Sequence, residues 1–476
     1  MKNKIIIIGA GVSGLSAGIY AQKSGFDTVI LEKNHFAGGN LTGWTRKDCY
    51  IDNCIHWLNG SKENNLFKIW QELGAFEDVR FHQSEDFIVS EFNNQTISLN
   101  KSLKKTYENM LKLSPDDKVA IDNFICACNF VTNIKDENVK IHKKFINALK
   151  LLRLYKRKTI DEVAQGFKHP LLKKLLSDYI IGEYSIYSLL FAYSSFYTGD
   201  GKVLKNGSKF MAENIAKKYK DLGGEIFYNT KVENIIIRNG VAKGVKLQNG
   251  EIINCDIVIC CTDPKIAFNK LIDNSYTPTS LLKTYKQRKA YPIVSSFHIA
   301  YKVNTIFEIP DTFVFELNRP VLIGSTKYSR IMLRSYAYGD FTKDKKSFVL
   351  QVFLLQREKD FDKWSLLSQD DYSKEKARIV KEITDEILVK FPGLQENLEF
   401  LDCWTPLTYT KYFGAYKGSY MSFGTTKKYK LLTYPYKIKD VDNLYFASQW
   451  QKLFGGLPNA VTSGKNCIEK ICKDFK

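Results

Sequence analysis

The chain has 476 residues, of which 44% are hydrophobic and 25% are charged. These values are ordinary for globular proteins, so they exclude a disordered or fibrous chain, and the length suffices for two or three domains. The net charge of +19, from 70 Lys and Arg against 51 Asp and Glu, suggests an anionic partner or surface.

The ten cysteines form no C-x-x-C pair and stand near no histidine pair at zinc spacing. We therefore predict neither a metal site nor a disulfide framework, which favours a reduced, intracellular protein. No stretch of about 18 apolar residues predicts a membrane span. We expect a cytoplasmic protein, with peripheral attachment to the inner face of a membrane as an option, and no nucleic acid among its partners.

The first elements of the chain alternate strand and helix. Ile5–Ile8 predicts a buried strand, Gly9 a tight turn, Leu15–Ser24 a helix and Thr28–Leu31 a second strand. This order is typical of the first unit of a doubly wound parallel sheet.

The turn between the first strand and helix fits the G-x-G-x-x-G pattern of dinucleotide-binding proteins. Gly9 would form the turn, Gly11 would let a pyrophosphate approach the backbone, and Gly14 would let the helix pack on the strand. Val12 and Ser13 begin the helix, whose free N–H groups would bind phosphate.

An acidic residue follows the second strand at the spacing that this pattern requires. Glu32 would accept hydrogen bonds from the adenosine ribose, with Lys33 beside it. The glycine pair Gly38-Gly39, followed by Asn40, would let the chain pass close to a long dinucleotide.

The rest of the chain predicts further elements of three kinds. Residues 103–197 have a mostly helical pattern, and residues 290–355 contain short alternating runs that indicate a second, antiparallel sheet. Strand and helix patterns return over residues 210–260 and again over residues 444–474.

These segments together resemble the FAD-containing enzymes of the phytoene-desaturase type, a family that includes carotenoid isomerases and retinol saturases. The resemblance runs in order along nearly the whole chain, through residues 50–57, 223–226, 262–264, 404–420 and 455–465. It implies FAD as the cofactor. It adds cofactor-binding residues from the later segments: Val232, Thr262, Gln449, Gly455, Gly456, Leu457 and Ala460.

The resemblance also implies a fold and a division of the chain. We expect an α/β protein of the GR2 or amine-oxidase-like flavoprotein type, with a discontinuous Rossmann-like FAD-binding domain and an antiparallel-sheet substrate domain. The FAD-binding domain would comprise residues 1–80, 200–268 and 436–476. Residues 81–102 and 269–435 would form the substrate domain, and residues 103–199 a helical insertion that could face a membrane.

Candidate residues for chemistry and substrate binding follow from the same comparison. The resemblance places His56 near the flavin, where it could donate a proton to a substrate carbon or orient the ring. The alternative is a packed, hydrogen-bonded histidine beside Trp57. Trp57, Tyr409, Tyr412 and Trp450 are candidates for the substrate side, with packing in a core or loop as the alternative for each.

Residues 143–158 contain seven basic residues and no acidic one. At helical spacing one face is shared by Phe145, Ala148, Leu149, Leu152 and Tyr155. This is typical of a helix lying on an anionic membrane. A basic, solvated face of a helix that docks on its own domain has the same pattern.

The sequence therefore predicts an FAD-dependent oxidoreductase that acts on C–C bonds of an extended, apolar polyene or lipid-like substrate, by desaturation, saturation or isomerisation. One alternative is an amine-oxidase-type flavoenzyme acting on C–N bonds. Another is a flavin-binding, membrane-associated protein without turnover. No second G-x-G-x-x-G segment follows a strand, so the sequence does not identify the electron donor or acceptor.

Overall fold

A parallel sheet of five strands is the centre of the computed structural model, which describes residues 3–475. Its strands come from three separated parts of the chain and lie side by side in the order Glu225–Phe227, Asp27–Leu31, Lys4–Ile8, Ile257–Cys260 and Leu444–Phe446. All four contacts between them are parallel.

Both faces of this parallel sheet are covered, which explains the unbroken apolar run of its first strand. Ile5 and Ile7 pack on one face, and Ile6 and Ile8 pack on the other. The first face carries the helices Val12–Lys23, Ser208–Asp221 and Gly456–Asp474. The second carries a three-stranded antiparallel sheet of Val232–Arg238, Val241–Leu247 and Ile252–Asn254.

The first and last helices of this group lie in direct backbone contact. A Cβ atom at Gly464 would stand 2.6 Å from the Ser13 carbonyl oxygen and 2.7 Å from the Ala17 nitrogen. The Ser16 hydroxyl donates to the Val461 carbonyl oxygen at 2.8 Å. Small residues at this crossing therefore bring the beginnings of both helices to the same edge of the sheet.

A second, seven-stranded sheet lies beside the parallel sheet. Its strands are ordered Leu398–Trp404, Val294–Val303, Phe348–Arg357, Thr326–Ser335, Thr312–Ile323, Asp86–Phe92 and Gln95–Asn100. The sheet is antiparallel as predicted except at one contact, where Phe313 and Val314 pair with Val89 and Ser90 in parallel. The long helix Gln369–Lys390 packs on one face.

The segment predicted to be helical is built from six α-helices, which pack together on the second sheet. They are Leu103–Leu113, Lys118–Lys135, Ile141–Tyr155, Ile160–Ala164, Pro170–Ser177 and Ile186–Tyr197. Among residues 3–475, no helix combines the length and the apolar composition needed to cross a bilayer.

Shorter elements complete the chain. The remaining strands are Gly43–Arg46, Cys49–Asp52, Leu58–Asn59, Phe81–His82 and Gly201–Leu204. The remaining α-helices are Asn65–Glu72, Pro264–Ile266, Thr279–Lys286, Glu358–Ser365 and Pro406–Phe413. A π-turn covers Ala267–Leu271, and 3₁₀ turns cover Pro115–Asp117, Asn274–Tyr276, Pro392–Leu394, Tyr416–Gly418 and Gln449–Gln451.

The α/β class and the two-sheet architecture agree with the sequence prediction. The first helix begins at Val12, three residues before the predicted Leu15. The last helix begins at Gly456. Pro458 falls inside its first turn, where a missing N–H group breaks no intrahelical hydrogen bond. The predicted domain boundaries stay a prediction.

Candidate cofactor and substrate site

A cavity of about 1130 Å³ lies where the parallel sheet, the second sheet and the helical segment meet. Its lining includes the carboxyl ends of the parallel strands, at Ile8 and Leu31, which is where open α/β sheets bind ligands. The volume slightly exceeds the usual range for a single small-molecule site. The cavity is therefore large enough for a long cofactor and a second ligand.

The first glycine turn opens directly into this cavity. Gly9 adopts a φ of +101°, and a Cβ atom at Gly11 would meet no atom within 4 Å. The helix that follows has no side chain capping its first N–H groups, and Val12 and Ser13 line the cavity. Gly14 instead faces the strand, because its Cβ atom would lie 2.0 Å from the Gly9 carbonyl oxygen.

Glu32 is fixed beside this turn. One carboxylate oxygen accepts from the Ala10 backbone at 2.8 Å, and the other accepts from the Asn34 backbone at 2.9 Å. Glu32 and Lys33 both line the cavity. This placement suits the predicted contact of Glu32 with a ribose.

The second glycine pair packs against the first turn. The Gly38 N–H group donates to the Ala10 carbonyl oxygen at 2.8 Å, and a Cβ atom at Gly39 would stand 3.3 Å from the Gly11 Cα atom. Asn40 follows with a buried Oδ1 atom that has no hydrogen-bond partner within residues 3–475. That atom can accept a hydrogen bond from a ligand hydroxyl group.

The C-terminal glycine turn contributes a second helix start to the cavity. Gly455 and Gly456 have φ values of +55° and +77°. The Gln449 side chain accepts from the Gly456 N–H group at 2.8 Å and donates to the Tyr420 carbonyl oxygen at 3.2 Å. Leu457 lines the cavity in the first turn of this helix.

Four further predicted residues line the same cavity: Val232, Thr262, Trp450 and Ala460. Trp450 is buried with its ring against Phe423, at a centroid distance of 4.9 Å. The structure thus brings the predicted cofactor residues from the three parts of the chain to one cavity, with Gly14 behind it as a packing residue.

His56 lines the cavity and its Nδ1 atom is buried without a hydrogen-bond partner in the described chain. Its ring lies against Phe353, at a centroid distance of 4.4 Å. Burial, together with the positive charge of Arg334, holds the pKa of His56 well below its usual range. The neutral imidazole therefore dominates at neutral pH and can accept or donate a hydrogen bond.

Arg334 is a functional candidate that sequence reasoning missed. Its guanidinium is buried, and it donates to the His56 carbonyl oxygen at 3.3 Å and to the Tyr179 hydroxyl at 3.4 Å. Burial and Arg334 also lower the pKa of His298 to about 3. An arginine in an alternating strand pattern usually points to solvent, so the sequence held no signal for this buried charge.

An aromatic wall lines the part of the cavity next to His56. It contains Tyr179, Tyr184, Tyr187 and Phe191, and the predicted Trp57 joins it with its ring 5.5 Å from that of Tyr179. Helical spacing within the apolar run was the sequence signal that could have found Tyr187 and Phe191, which lie in the helix Ile186–Tyr197. Tyr179 and Tyr184 precede this helix and carried no such signal.

The predicted substrate residues Tyr409 and Tyr412 do not line the cavity. They lie in the helix Pro406–Phe413. The rotation of about 100° per residue in a helix turns Tyr409 into the core, where its hydroxyl bonds to Ser296, and leaves Tyr412 exposed.

The basic segment predicted over residues 143–158 forms the helix Ile141–Tyr155. Phe145, Leu149 and Leu152 are exposed on it, with exposed fractions of 63%, 50% and 43%. Tyr155 is buried in the core of the helical segment, so it does not belong to the apolar face predicted for it. Within residues 3–475, no cluster of His, Cys, Asp and Glu side chains could hold a metal ion.

A parallel sheet whose first and last helices both begin at glycine turns in one cavity defines the dinucleotide-binding class of oxidoreductase folds. Residues 12–472 match the model of the flavin-containing amine oxidoreductases. The chain belongs to this family.

Two curated relatives align with almost the whole chain. Prolycopene isomerase from the chloroplast of Daucus carota is 25% identical, over 99% of this chain and 80% of the relative. The 4,4'-diapolycopene oxygenase of a Methylomonas species is 24% identical, over 99% of both chains. These relatives confirm the resemblance to carotenoid-modifying flavoenzymes that the motifs predicted.

A solved structure of putrescine oxidase bound to putrescine superposes with a TM-score of 0.62 at 13% identity, over 99% of both chains. At this identity the likeness shows a shared fold. FAD is the cofactor of the family, and the cavity fits it through the open backbone at Gly11 and the unpartnered Oδ1 atom of Asn40.

Proposed function

We propose that the protein is an FAD-dependent oxidoreductase that acts on C–C bonds of an elongated, carotenoid-like polyene. The observation that carries this proposal is the aromatic wall, which extends the cofactor cavity into a mostly apolar arm. An arm of this kind suits a long, planar chain of conjugated carbon atoms. The named activities of the relatives support the same substrate class.

When bound, FAD supplies the capacity to accept or return a hydride. The residues of the chain bind and orient the two ligands. The glycine turns would hold the cofactor by its phosphates, and the aromatic wall would align the polyene. His56 lines the same cavity as a neutral group that can accept or donate a hydrogen bond.

An activity on C–N bonds receives less support from this site. The buried guanidinium of Arg334 lies directly behind His56. A protonated amine placed there would be repelled, because both groups are positively charged.

The test starts from FAD-loaded protein under anaerobic conditions. Conjugated polyenes are added to the oxidised flavin and, separately, to photoreduced flavin, and the flavin spectrum and the polyene isomers are recorded. We expect a change in flavin redox state or in polyene geometry. Inert flavin with every polyene, together with hydrogen peroxide release from amines, would contradict the proposal.

His56→Ala sharpens this test. We expect turnover to fall about 100-fold, since a positioned acid, base or hydrogen-bond partner commonly contributes that much. The affinity for FAD should stay within about threefold, a small free-energy change. Unchanged turnover would remove His56 from the reaction site.

The exposed apolar face of the helix Ile141–Tyr155 supports the proposal that the protein binds peripherally to a membrane. Phe145, Leu149 and Leu152 project from a helix that also carries basic side chains at Lys143 and Lys144. This arrangement suits peripheral binding to an anionic membrane, from which a lipid-dissolved polyene could enter the cavity.

A further inference from the structure

Four exposed lysines line one part of the cofactor cavity. They come from four separate parts of the chain: Lys33, Lys231, Lys270 and Lys411. We name these four residues the lysine rim. Cations that are held close together repel one another, so a cluster of this kind on a ligand cavity suits an anionic ligand.

The lysine rim lies beside Glu32, the predicted ribose-binding residue. Lys33 follows Glu32 directly, and its Nζ atom donates to the Lys411 carbonyl oxygen at 3.2 Å. The N–H group of Thr230, next to Lys231, donates to the Glu32 carbonyl oxygen at 2.8 Å. The rim is therefore at the part of the cavity that suits the adenosine half of FAD.

The rim lysines are close enough for their charges to interact. Burial of part of its side chain lowers the pKa of Lys33. The positive charges of Lys231 and Lys270 act in the same direction, and Glu32 acts in the opposite one. Lys270, although distant in the sequence, therefore belongs to the same cluster as Lys33.

Nearby carboxylates leave the charge of the rim largely uncompensated. Among residues 3–475, no Asp or Glu forms an ion pair with a rim lysine. Glu233 lines the cavity but pairs with Lys246 at 3.2 Å. Asp263 also lines it, and its carboxylate accepts from the backbone of Lys265 and Tyr416. The lysine rim is therefore a surface of net positive charge.

The glycine turns differ from this rim. The residues by which they line the cavity, within 9–13, 38–41 and 454–457, carry no charged side chain. Backbone N–H groups and the beginnings of two helices would bind the pyrophosphate there. The cationic side chains that can attract a dianionic cofactor from solution are therefore concentrated at the rim.

Charge elsewhere in the cavity does not compete for this ligand. The partly buried Lys135 lines the cavity together with Glu137 and Asp200. Two carboxylates outweigh one ammonium group, so an anion gains nothing there. An elongated polyene is uncharged and gains nothing from the lysine rim. The rim therefore discriminates in favour of the cofactor.

The exposure of the rim determines which step of binding its charges affect. An exposed lysine ammonium is strongly hydrated and flexible, so its contact with a bound phosphate adds little to equilibrium affinity. Charges of one sign along a cleft nevertheless raise association rates by about 10- to 1000-fold. Rim charges therefore act mainly on the association rate and its salt dependence.

We propose that the lysine rim captures FAD from solution through the negative charge of its phosphates and guides its adenosine half into the cavity. These four lysines determine how fast the cofactor is loaded rather than how tightly it is held. The inference rests on FAD as the cofactor and does not depend on the identity of the substrate.

Two variants that lose the same charge test the inference. The rim variant combines four changes: Lys33→Gln, Lys231→Gln, Lys270→Gln and Lys411→Gln. The control variant changes four exposed lysines that lie outside the cavity: Lys327→Gln, Lys343→Gln, Lys345→Gln and Lys346→Gln. Because both variants have the same net charge, a difference between them reports the location of the charges.

Both rates are measured on the full chain. Dissociation is followed on FAD-loaded protein, by exchange of the bound cofactor for isotopically labelled FAD. Association is followed after removal of FAD, from the quenching of FAD fluorescence. If the FAD-free protein does not persist, the association rate follows from the dissociation rate and the equilibrium constant of the loaded protein.

At about 0.1 M salt, where the Debye length is about 10 Å, we expect the rim variant to bind FAD about fivefold more slowly than the original protein. The control variant should stay within about twofold of the original rate. At about 1 M salt, where the Debye length is about 3 Å, the rim variant should also come within about twofold. Dissociation rates should stay within about threefold throughout.

Equal slowing of association in both variants would overturn the inference, because net charge alone would explain it. Unchanged association with faster dissociation in the rim variant would also overturn it, because the lysines would then hold bound FAD. These measurements involve no polyene, so their outcome is separate from that of the proposed function. Failure of the original protein to bind FAD at all would contradict the cofactor, and this inference with it.

Discussion

The two ends of the cavity are built in different ways. At the cofactor end, backbone groups of the turns at Gly9–Gly11, Gly38–Gly39 and Gly455–Gly456 form the surface. At the substrate end, side chains from the helix Ile186–Tyr197, the second sheet and Lys135 form it. Where backbone groups form the cavity surface, its shape depends on the positions of glycines in the sequence. Where side chains form the surface, its shape depends on how elements that are distant in the sequence pack together.

The largest expected effect is at Gly14, where the cofactor end meets its supporting strand. Gly14→Ala would place a methyl group 2.0 Å from the Gly9 carbonyl oxygen. We expect the free energy of unfolding to fall by about 3 kcal/mol, as for severe overpacking. Denaturant titration of FAD-free protein measures this. Stability equal to that of the original protein would contradict the described packing.

Gly11→Ala, in the same turn, should weaken FAD binding while leaving the stability of the fold nearly unchanged. A Cβ atom there meets no protein atom within 4 Å, and φ is −68°. We expect stability without FAD to change by less than about 0.5 kcal/mol, while affinity for FAD falls about 100-fold because the methyl group displaces a phosphate. Calorimetric titration with FAD checks this, and unaltered affinity would exclude Gly11 from the phosphate site.

The pH dependence of stability tests the burial of His298, which packs among the side chains near the substrate end. Its pKa of about 3 in the folded protein lies below the value of about 6.5 expected after unfolding. As the pH is lowered, His298 therefore becomes protonated in the unfolded protein before it does so in the folded protein. The free energy of unfolding consequently decreases as the pH falls below about 6.5. Between pH 7 and pH 5, this histidine should account for a loss of about 2 kcal/mol.

His298→Asn should reduce that loss by the same amount, measured by urea unfolding at both pH values with saturating FAD. The exposed His35, changed to Asn, serves as the control. An identical loss in the His298 variant and in the original protein would show that Arg334 and burial do not keep this imidazole neutral.

The smallest expected effect concerns the outer face of the helical segment. Leu149→Ser should weaken binding to anionic vesicles about tenfold, because it removes apolar area that is already exposed in the protein. Leu366→Ser changes a leucine that is 80% exposed elsewhere on the surface, and it should have no effect. Equal binding by both variants would contradict the membrane proposal.

The contrast between the two ends also explains which parts were predictable. The strand run Ile5–Ile8, the glycine spacing and Glu32 are local patterns, and the structure brings them to one cavity. Tyr409 and Tyr412 were predicted for the substrate side, but which side of their helix faces the cavity depends on packing with distant elements. Arg334 and Lys135 gave no local signal, because burial of a charge depends on elements far away in the sequence.

The contact at Gly464 has a consequence for how the protein matures. The helix that carries this glycine follows every other described element in the chain, and residues 456–460 at its start complete the lining of the cavity. During translation, residues 3–440 leave the ribosome with the cofactor cleft open on one side. Loading of the coenzyme into a complete cavity therefore requires that this helix has already been synthesised.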